Sequence, residues 1–273
     1  MKLFKKIQER GIENISQSEY SIFIDDVKGF LDGKKLVEKD WTHFYVVGDT
    51  HGYLKSAKKP AERAISDRAP IIYTGDYVDR GEKQLETLAY LLSLKRERPD
   101  KVVLLRGNHE TRDINRGYGF YKEVTSKFSR ALFDKIVTLY KDLPVAAVID
   151  ERFFLAHGGI SKDVTHYEEI YDLQYSSKSY QEFFWNDPSE KIDYFEPNFK
   201  RGGYYLYGNK AVEEFLKTNH LEMIIRAHEV QEKGYNYYFD KKLLSLFSVP
   251  NYRGRNKGKI AYVKNEDIDL LNN

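Results

Sequence analysis

Side chains that can bind metal ions recur along the chain, each shortly after an apolar run. They are Asp49, His51, Asp76, Asn108, His157 and His228. All six offer oxygen or imidazole nitrogen, and the sequence has no cysteine that could add a thiolate. Six ligands are too many for one tetrahedral site, but they suit two metal ions that share a carboxylate. Asp76, near the middle of the series, is the natural bridge.

The apolar runs predict the strands that must position these side chains. Residues 43–47, 71–74 and 101–105 are rich in aliphatic and aromatic residues, and each is followed by Gly and a ligand-type residue. Asp49 and His51 are two residues apart, so they face the same way on an extended backbone. A helical repeat lies between the second and third runs, and strand, helix, strand indicates an α/β fold with its chemistry at the strand ends.

The composition favours a single domain over residues 1–273. The chain is 41% hydrophobic and 32% charged, and it shows no repeat or low-complexity linker. Residues 1–40 are expected to form an N-terminal helical segment, and residues 41–264 the motif-bearing core. No apolar run suggests a membrane helix, and the net charge of +2 gives no argument for nucleic acid. The absence of cysteine favours a cytoplasmic protein.

Local features lead to further expectations. Pro60 predicts a break or a late start in the helix after the first motif. Asn209 is expected to cap a helix that runs through His220. Residues 161–208 read as irregular, although their aromatic residues argue for order. The remaining strands are expected at residues 145–149, 152–156, 223–225, 235–239, 243–247 and 259–263.

Six motifs follow one another along the chain. They are Gly48-Asp49-Thr50-His51-Gly52, Gly75-Asp76-Tyr77-Val78-Asp79-Arg80-Gly81, Arg106-Gly107-Asn108-His109-Glu110, His157-Gly158-Gly159, Arg226-Ala227-His228 and Ser248-Val249-Pro250-Asn251-Tyr252. In this order they resemble the metallophosphoesterases, and within them the PPP-type serine/threonine protein phosphatases. The resemblance covers residues 48–252. It implies a β-sandwich of two mixed sheets flanked by helices, with the metals at the loops along one edge.

The resemblance also implies a ligand set for two divalent ions. The first ion would be held by Asp49, His51 and Asp76. The second would be held by Asp76, Asn108, His157 and His228. Oxygen and imidazole ligands admit Mn, Fe, Zn, Co or Ni, with Mn the expected choice for assayed activity.

The implied reaction is hydrolysis of phosphoserine and phosphothreonine in proteins. A metal-bridging hydroxide would attack phosphorus in line, without a covalent enzyme intermediate. His109 resembles the general acid for the leaving alkoxide, and Asp79 would orient it and stabilise its protonated form. The residues expected to contact the substrate are Arg80, Arg201, Asn108 and Tyr252. Regulatory subunits are left open.

Several alternatives remain at this point. Asp79 could cap the helix that follows it, and Glu110 is expected to be a structural hydrogen-bonding partner. The basic residues Arg253, Arg255, Lys257 and Lys259 could form either a solvated hairpin or a rim that attracts anionic substrates. The chain could also be a dinucleoside polyphosphate hydrolase or a phosphodiesterase of the same superfamily. A protein of another class, a catalytically silent binding scaffold, would be expected to have lost ligands.

Overall fold

The computed structural model describes residue 7, residues 11–31, 33–254 and 256–273, with only the backbone at residue 253. Its strands are β1 (Leu36–Lys39), β2 (His43–Val47), β3 (Ile71–Tyr73), β4 (Val102–Leu104), β5 (Ala146–Ile149), β6 (Phe153–Ala156), β7 (Asp187–Pro188), β8 (Phe195–Asn198), β9 (Tyr204–Tyr207), β10 (Met223–Arg226), β11 (Tyr235–Tyr238), β12 (Leu243–Leu246), β13 (Lys259–Lys264) and β14 (Asp267–Asn272). Its α-helices are α1 (Gln17–Lys28), α2 (Leu54–Ser66), α3 (Gln84–Glu97), α4 (Arg112–Tyr118), α5 (Phe120–Lys127), α6 (Arg130–Leu139), α7 (Lys178–Trp185) and α8 (Asn209–Thr218). Among the described residues, no helix has both the length and the apolar character that crossing a membrane requires.

Two mixed sheets form the centre of the fold, as the sequence predicts. The first has five strands in the order β14-β13-β2-β3-β4, and the second has six in the order β1-β5-β6-β10-β12-β11. In the first sheet β2, β3 and β4 run parallel, and β13 is antiparallel to β2. In the second, β10 lies parallel between β6 and β12. The parallel strands end at the same edge of each sheet, which is where the ligand-type residues follow them.

The sheets pack face to face because their strands alternate apolar side chains between two buried faces. Phe44 and Val46 of β2 point into the layer between the sheets, where they join Leu155 and Leu246. The rings of Phe44 and Phe153 meet edge to face, with centroids 5.8 Å apart. An apolar layer of this kind fixes one sheet relative to the other, and with it the loops at the sheet edge.

Helices cover the outer faces of both sheets. Tyr45 and Tyr73 leave the first sheet on its outer side and pack with buried residues of α1, α2, α3, α5 and α6. Phe154 and Leu243 leave the second sheet on its outer side and pack with α7 and α8. The α/β sandwich flanked by helices is therefore confirmed.

Four local expectations are wrong, the fourth of which concerns Pro60. The segment 1–40 contains the strand β1, because Leu36–Lys39 finds a parallel partner in β5. Asn209 is the first residue of α8 rather than its cap, and Gly208 takes the cap position without a side-chain hydrogen bond. Residues 161–208 contain a small third sheet in the order β7-β9-β8.

The helix α2 continues through Pro60 without the expected break. Proline removes the hydrogen bond to the carbonyl four residues earlier, which here belongs to Ser56. The side-chain amide of Asn273 donates to that carbonyl at 3.0 Å. A tertiary contact thus satisfies the carbonyl that the proline leaves without a helical donor.

Candidate metal centre and active site

The ends of five strands converge on one side of the sandwich. Asp49 and His51 follow β2, Asp76 follows β3, and Asn108 lies beyond the end of β4. His157 follows β6, and His228 lies just past β10. The backbone amide of His228 donates to Asp49 Oδ1 at 3.0 Å, which ties the two sheets together at the site.

Five residues at or near the site have left-handed backbone conformations. The φ angles are +43° for His51, +55° for Asp76, +66° for Asp79, +77° for Arg80 and +72° for His228. Such angles are rare for residues with a side chain. They turn the chain sharply at the strand ends and direct these side chains toward the cleft.

Asp76 is common to two tight groups of potential metal ligands. One group is Asp76 with His51 and His109, and the other is Asp76 with His157 and His228. Asp49 is not part of either group, but its Oδ2 lies 3.5 Å from His51 Nε2. The bridging role of Asp76 stays a prediction, for which its place in both groups provides the geometry.

The atoms around His157 fit a cation. Its Nδ1 lies 3.0 Å from the Thr74 carbonyl, which only accepts, so Nδ1 carries a proton and, in the neutral ring, Nε2 presents a lone pair. That Nε2 lies 3.1 Å from Asn108 Oδ1, 3.1 Å from His228 Nδ1 and 3.3 Å from Asp76 Oδ2. With neutral imidazoles and the His228 proton on Nε2, these four lone-pair atoms would face one another as they do around a metal ion. Burial lowers the pKa of His157, but the charge of Asp76 and the hydrogen bond to it raise the pKa above its usual value, so in the metal-free protein a proton competes for this position.

The two other imidazoles show how proton and metal can compete here. Burial alone would lower the pKa of His51, but the hydrogen bond to Asp49 and the charges of Asp76 and Asp49 raise the pKa to about 9. Burial, followed by the charges of Arg201 and His157, lowers the pKa of His228 well below its usual value. His228 is therefore neutral, the form that binds metal, whereas His51 must give up a proton to do so.

Glu110 shapes the loop that carries Asp76. Its carboxylate accepts from the backbone amides of Asp76, Tyr77 and Gly107 at 2.8, 2.8 and 2.9 Å. The structural role predicted for Glu110 agrees with these contacts. A Cβ on Gly107 would meet Asp76 Oδ1 and would lie 2.5 Å from the Asp76 backbone nitrogen. Only glycine allows the two loops to approach this closely.

His109 and Asp79 form a pair beside the ligand cluster. His109 Nδ1 lies 2.7 Å from Asp79 Oδ2, and His109 Nε2 lies 4.0 Å from Asp76 Oδ2. Asp79 is fully buried, and its Oδ1 accepts from the backbone amide of Phe120 at 2.9 Å. Its carboxylate therefore meets the start of α5 as well as His109, and it does not cap the next helix along the chain, α3.

A cleft of about 290 Å³ opens over these residues. Among the residues named from the sequence, its walls include Asp49, His51, Asp76, Arg80, Asn108, His109, Arg201, His228 and Tyr252. His157 and Asp79 lie behind this wall, fully buried. The ring of Tyr252 stacks on that of His51, with centroids 5.5 Å apart.

Arg80 and Arg201 reach the cleft from opposite elements. The guanidinium of Arg80 lies 4.0 Å from the ring centre of Tyr118, whose ring also meets His109. Arg201 Nε donates to Asp187 Oδ2 at 2.8 Å. Asp187 also accepts from the fully buried Arg226 at 2.9 Å, so the carboxylate holds two guanidinium groups.

Other residues support the site without forming a recognisable motif in the sequence. Tyr118, Asp187 and Asn115 have common side-chain types, and their partners lie far away in the chain. Asp187 lies within the stretch predicted to be irregular, and the pairing of β7 with β9 is what fixes its position.

The predicted basic rim is only partly described by the structure. Arg255 and the side chain of Arg253 lie outside the described residues. Lys257 is exposed, and the Lys259 ammonium group donates to the Leu270 carbonyl at 3.3 Å across the hairpin of β13 and β14. For Lys259 this contact favours the hairpin over a rim that attracts anionic substrates.

The fold and the clustered ligands can be compared with known families. A model of the calcineurin-like phosphoesterase family matches residues 42–232. The chain therefore belongs to this family, and the resemblance to the metallophosphoesterases is confirmed.

Comparison with solved structures supports the same fold. A protein serine/threonine phosphatase from Saccharomyces cerevisiae, with similarity to human phosphatase PP5, has a TM-score of 0.84 and 24% identity, over 95% of this chain and 89% of that one. A cold-active protein-tyrosine phosphatase from a psychrophilic Shewanella has a TM-score of 0.57 and 19% identity, over 87% of this chain and 82% of that one. Their descriptions name different phosphorylated residues, so the fold alone does not choose a substrate.

Proposed function

We propose that the protein is a metal-dependent phosphatase that hydrolyses phosphoserine and phosphothreonine in proteins. The observation that carries the proposal is the position of Asp76. Its carboxylate belongs to both ligand groups and lies beside the His109–Asp79 pair, at the floor of a cleft lined by arginines. Metal-binding groups, a proton donor and anion-binding groups therefore meet in one place.

The ligand cluster suits two divalent cations. Asp49, His51 and Asp76 would hold the first. The second would be held by Asp76, Asn108, His157 and His228. Cations bound there would supply Lewis-acid polarisation of the phosphate and activation of water. We propose manganese as the ion for assays, since oxygen and imidazole ligands accept it.

The arginines and His109 account for the rest of the reaction. Guanidinium groups offer planar donor pairs that match phosphate oxygens, so Arg80 and Arg201 would bind and orient the phosphate. In hydrolysis, the oxygen of water forms a new bond to phosphorus and the bond from phosphorus to the seryl oxygen breaks. The proton on His109 Nε2 would pass to the leaving seryl oxygen, which yields free phosphate and a hydroxyl group.

Replacing Asp76 by Asn tests the metal assignment. The amide keeps the shape but removes the negative charge that both ligand groups share. We expect loss of at least one bound metal and a decrease in phosphopeptide turnover far beyond tenfold. Asp163→Asn at an exposed position should leave both unchanged. Near-wild-type metal content and turnover in Asp76→Asn would refute the proposal.

A substrate panel tests the specificity. Phosphoserine, phosphothreonine and phosphotyrosine peptides should be compared with diadenosine tetraphosphate and bis-p-nitrophenyl phosphate at equal concentration. The proposal predicts the highest kcat/KM for the first two. A clear preference for phosphotyrosine, or for either of the last two compounds, would overturn the serine/threonine assignment and leave phosphoester hydrolysis in place.

A further inference from the structure

Asn115 lies directly behind the His109–Asp79 pair and is fully buried. It comes from α4, in a stretch that suggests no chemistry in the sequence. Its Nδ2 donates to Asp79 Oδ2 at 2.9 Å and to the His109 carbonyl at 2.6 Å. Both partners only accept hydrogen bonds, so the nitrogen of the amide must face them and its oxygen must face the other way.

That oxygen has a donor in Tyr140. The Tyr140 hydroxyl lies 3.1 Å from Asn115 Oδ1, and the whole side chain is buried where α6 ends. Burial, followed by the charges of Glu110 and Asp79, raises the pKa of Tyr140 well above its usual value. The hydroxyl therefore stays protonated and donates a hydrogen bond to Asn115 Oδ1. This contact fixes the orientation of the Asn115 amide.

The consequence is a fully satisfied set of contacts around the Asp79 carboxylate. Three donors converge on it: His109 Nδ1 at 2.7 Å, Asn115 Nδ2 at 2.9 Å and the Phe120 amide at 2.9 Å. His109 is also held at its amide, which donates to Asp76 Oδ1 at 2.9 Å. Asn115 therefore donates both to the carbonyl of His109 and to the carboxylate that orients its ring.

We propose that Asn115, locked in place by Tyr140, is a positioning residue that directs His109 Nε2 toward the leaving oxygen. The inference rests on the proposed function, because it needs His109 to act as the proton donor. Proton transfer requires near-ideal donor geometry, and a displacement of about 1 Å can cost about 10²-fold in rate. Without Asn115, Asp79 loses one of its three donors and the His109 carbonyl loses its side-chain donor, so the ring gains freedom to turn.

Two substrates separate positioning from a merely structural role. A phosphoserine peptide releases an alkoxide that needs a proton, whereas p-nitrophenyl phosphate releases a phenolate that does not. We expect Asn115→Ala to lower kcat on the peptide by about 50-fold and on p-nitrophenyl phosphate by less than threefold. Tyr140→Phe, which removes a single hydroxyl and keeps the packing, should lower kcat on the peptide by about fivefold and leave the other substrate unchanged.

Tyr20→Phe is the matched control. Tyr20 is also fully buried, and its hydroxyl donates to the Leu85 carbonyl at 3.3 Å and not to Asn115. Its replacement should change both activities equally or not at all. His109→Asn is the reference and should show the same difference between substrates as Asn115→Ala, with a larger magnitude.

A measurement that does not depend on turnover completes the test. Proton exchange can be measured by NMR on the full chain with zinc and ¹⁵N-labelled histidine. The signal of the His109 Nδ1 proton is identified by its loss in His109→Asn, and this proton should exchange slowly with solvent. It should exchange at least tenfold faster in Asn115→Ala and moderately faster in Tyr140→Phe. Equal losses on both substrates, or unchanged exchange, would overturn the role of Asn115. A His109→Asn variant without a difference between substrates would refute the proton-donor assignment itself.

Discussion

Replacing Gly107 by alanine tests how closely the Asp76 loop must approach its neighbour. The added Cβ would meet Asp76 Oδ1, would lie 2.5 Å from the Asp76 backbone nitrogen and would lie 2.9 Å from Glu110 Oε2. The carboxylate would have to move by roughly 1 Å to restore normal contact, and neither the backbone nitrogen nor the bound Glu110 can easily yield. A methyl group would therefore displace the proposed bridging ligand.

The size of the effect follows from this displacement. Overpacking of a buried site typically costs about 1–3 kcal/mol of unfolding free energy. A shift of about 1 Å in a catalytic group costs about 10²-fold in kcat/KM. We therefore expect Gly107→Ala to lose at least one metal ion and about 100-fold in kcat/KM on a phosphopeptide. Urea denaturation with EDTA present should show the loss of stability independently of the metal.

Gly117→Ala is the control, because a Cβ there would meet nothing within 4 Å and the residue lies inside α4. It should keep full activity and gain about 0.5–1 kcal/mol from improved helix propensity. Wild-type metal content together with wild-type kcat/KM in Gly107→Ala would refute the close-approach argument, whatever the change in stability.

Three further predictions concern other parts of the molecule. Glu123→Ala removes the carboxylate that accepts from the Leu85 amide at 2.8 Å, at the start of α3. It should lower the free energy of unfolding by about 1–2 kcal/mol in urea titrations with kcat unchanged, and a stable but inactive variant would contradict this reading. Asp187→Asn weakens the charge-assisted contact to Arg201, so KM for a phosphopeptide should rise about tenfold, and an unchanged KM would argue against phosphate binding by Arg201. His51 has a pKa of about 9 in the fold, above its unfolded value, so its protonation stabilises the metal-free protein below about pH 6.5 and this contribution is lost as the pH rises through 9. EDTA-treated protein should lose about 3 kcal/mol across that window, and an equal loss in His51→Gln would exclude His51 as the cause.

The strands that lead into the site could be predicted from sequence because their signal is local. Ile71–Tyr73 is short, apolar and followed by Gly, and it is fully buried as predicted. The strands that escaped prediction depend on distant partners. Asp267–Asn272 alternates charged and apolar residues at a half-exposed edge, and Leu36–Lys39 becomes a strand only through β5.

The candidate site divides in the same way. Glycines and ligand-type residues at strand ends form recognisable motifs, so the residues that face the cleft could be named in advance. The supporting residues could not, because their function comes from three-dimensional contacts. Asn115 acts through hydrogen bonds with Asp79 and Tyr140. Asp187 acts through hydrogen bonds with Arg201 and Arg226. No local sequence pattern links these partners.

The left-handed backbone angles at the strand ends have an energetic consequence for the whole fold. Each such residue with a side chain costs about 1–2 kcal/mol relative to an ordinary conformation. Together the five come to several kcal/mol, comparable with the entire net stability of a typical domain at about 5–15 kcal/mol. The packing of the sandwich and its helices must therefore compensate for backbone strain in the loops around the site. Replacing one of these strained residues by glycine, Arg80 for example, would raise the free energy of unfolding but lower the catalytic activity.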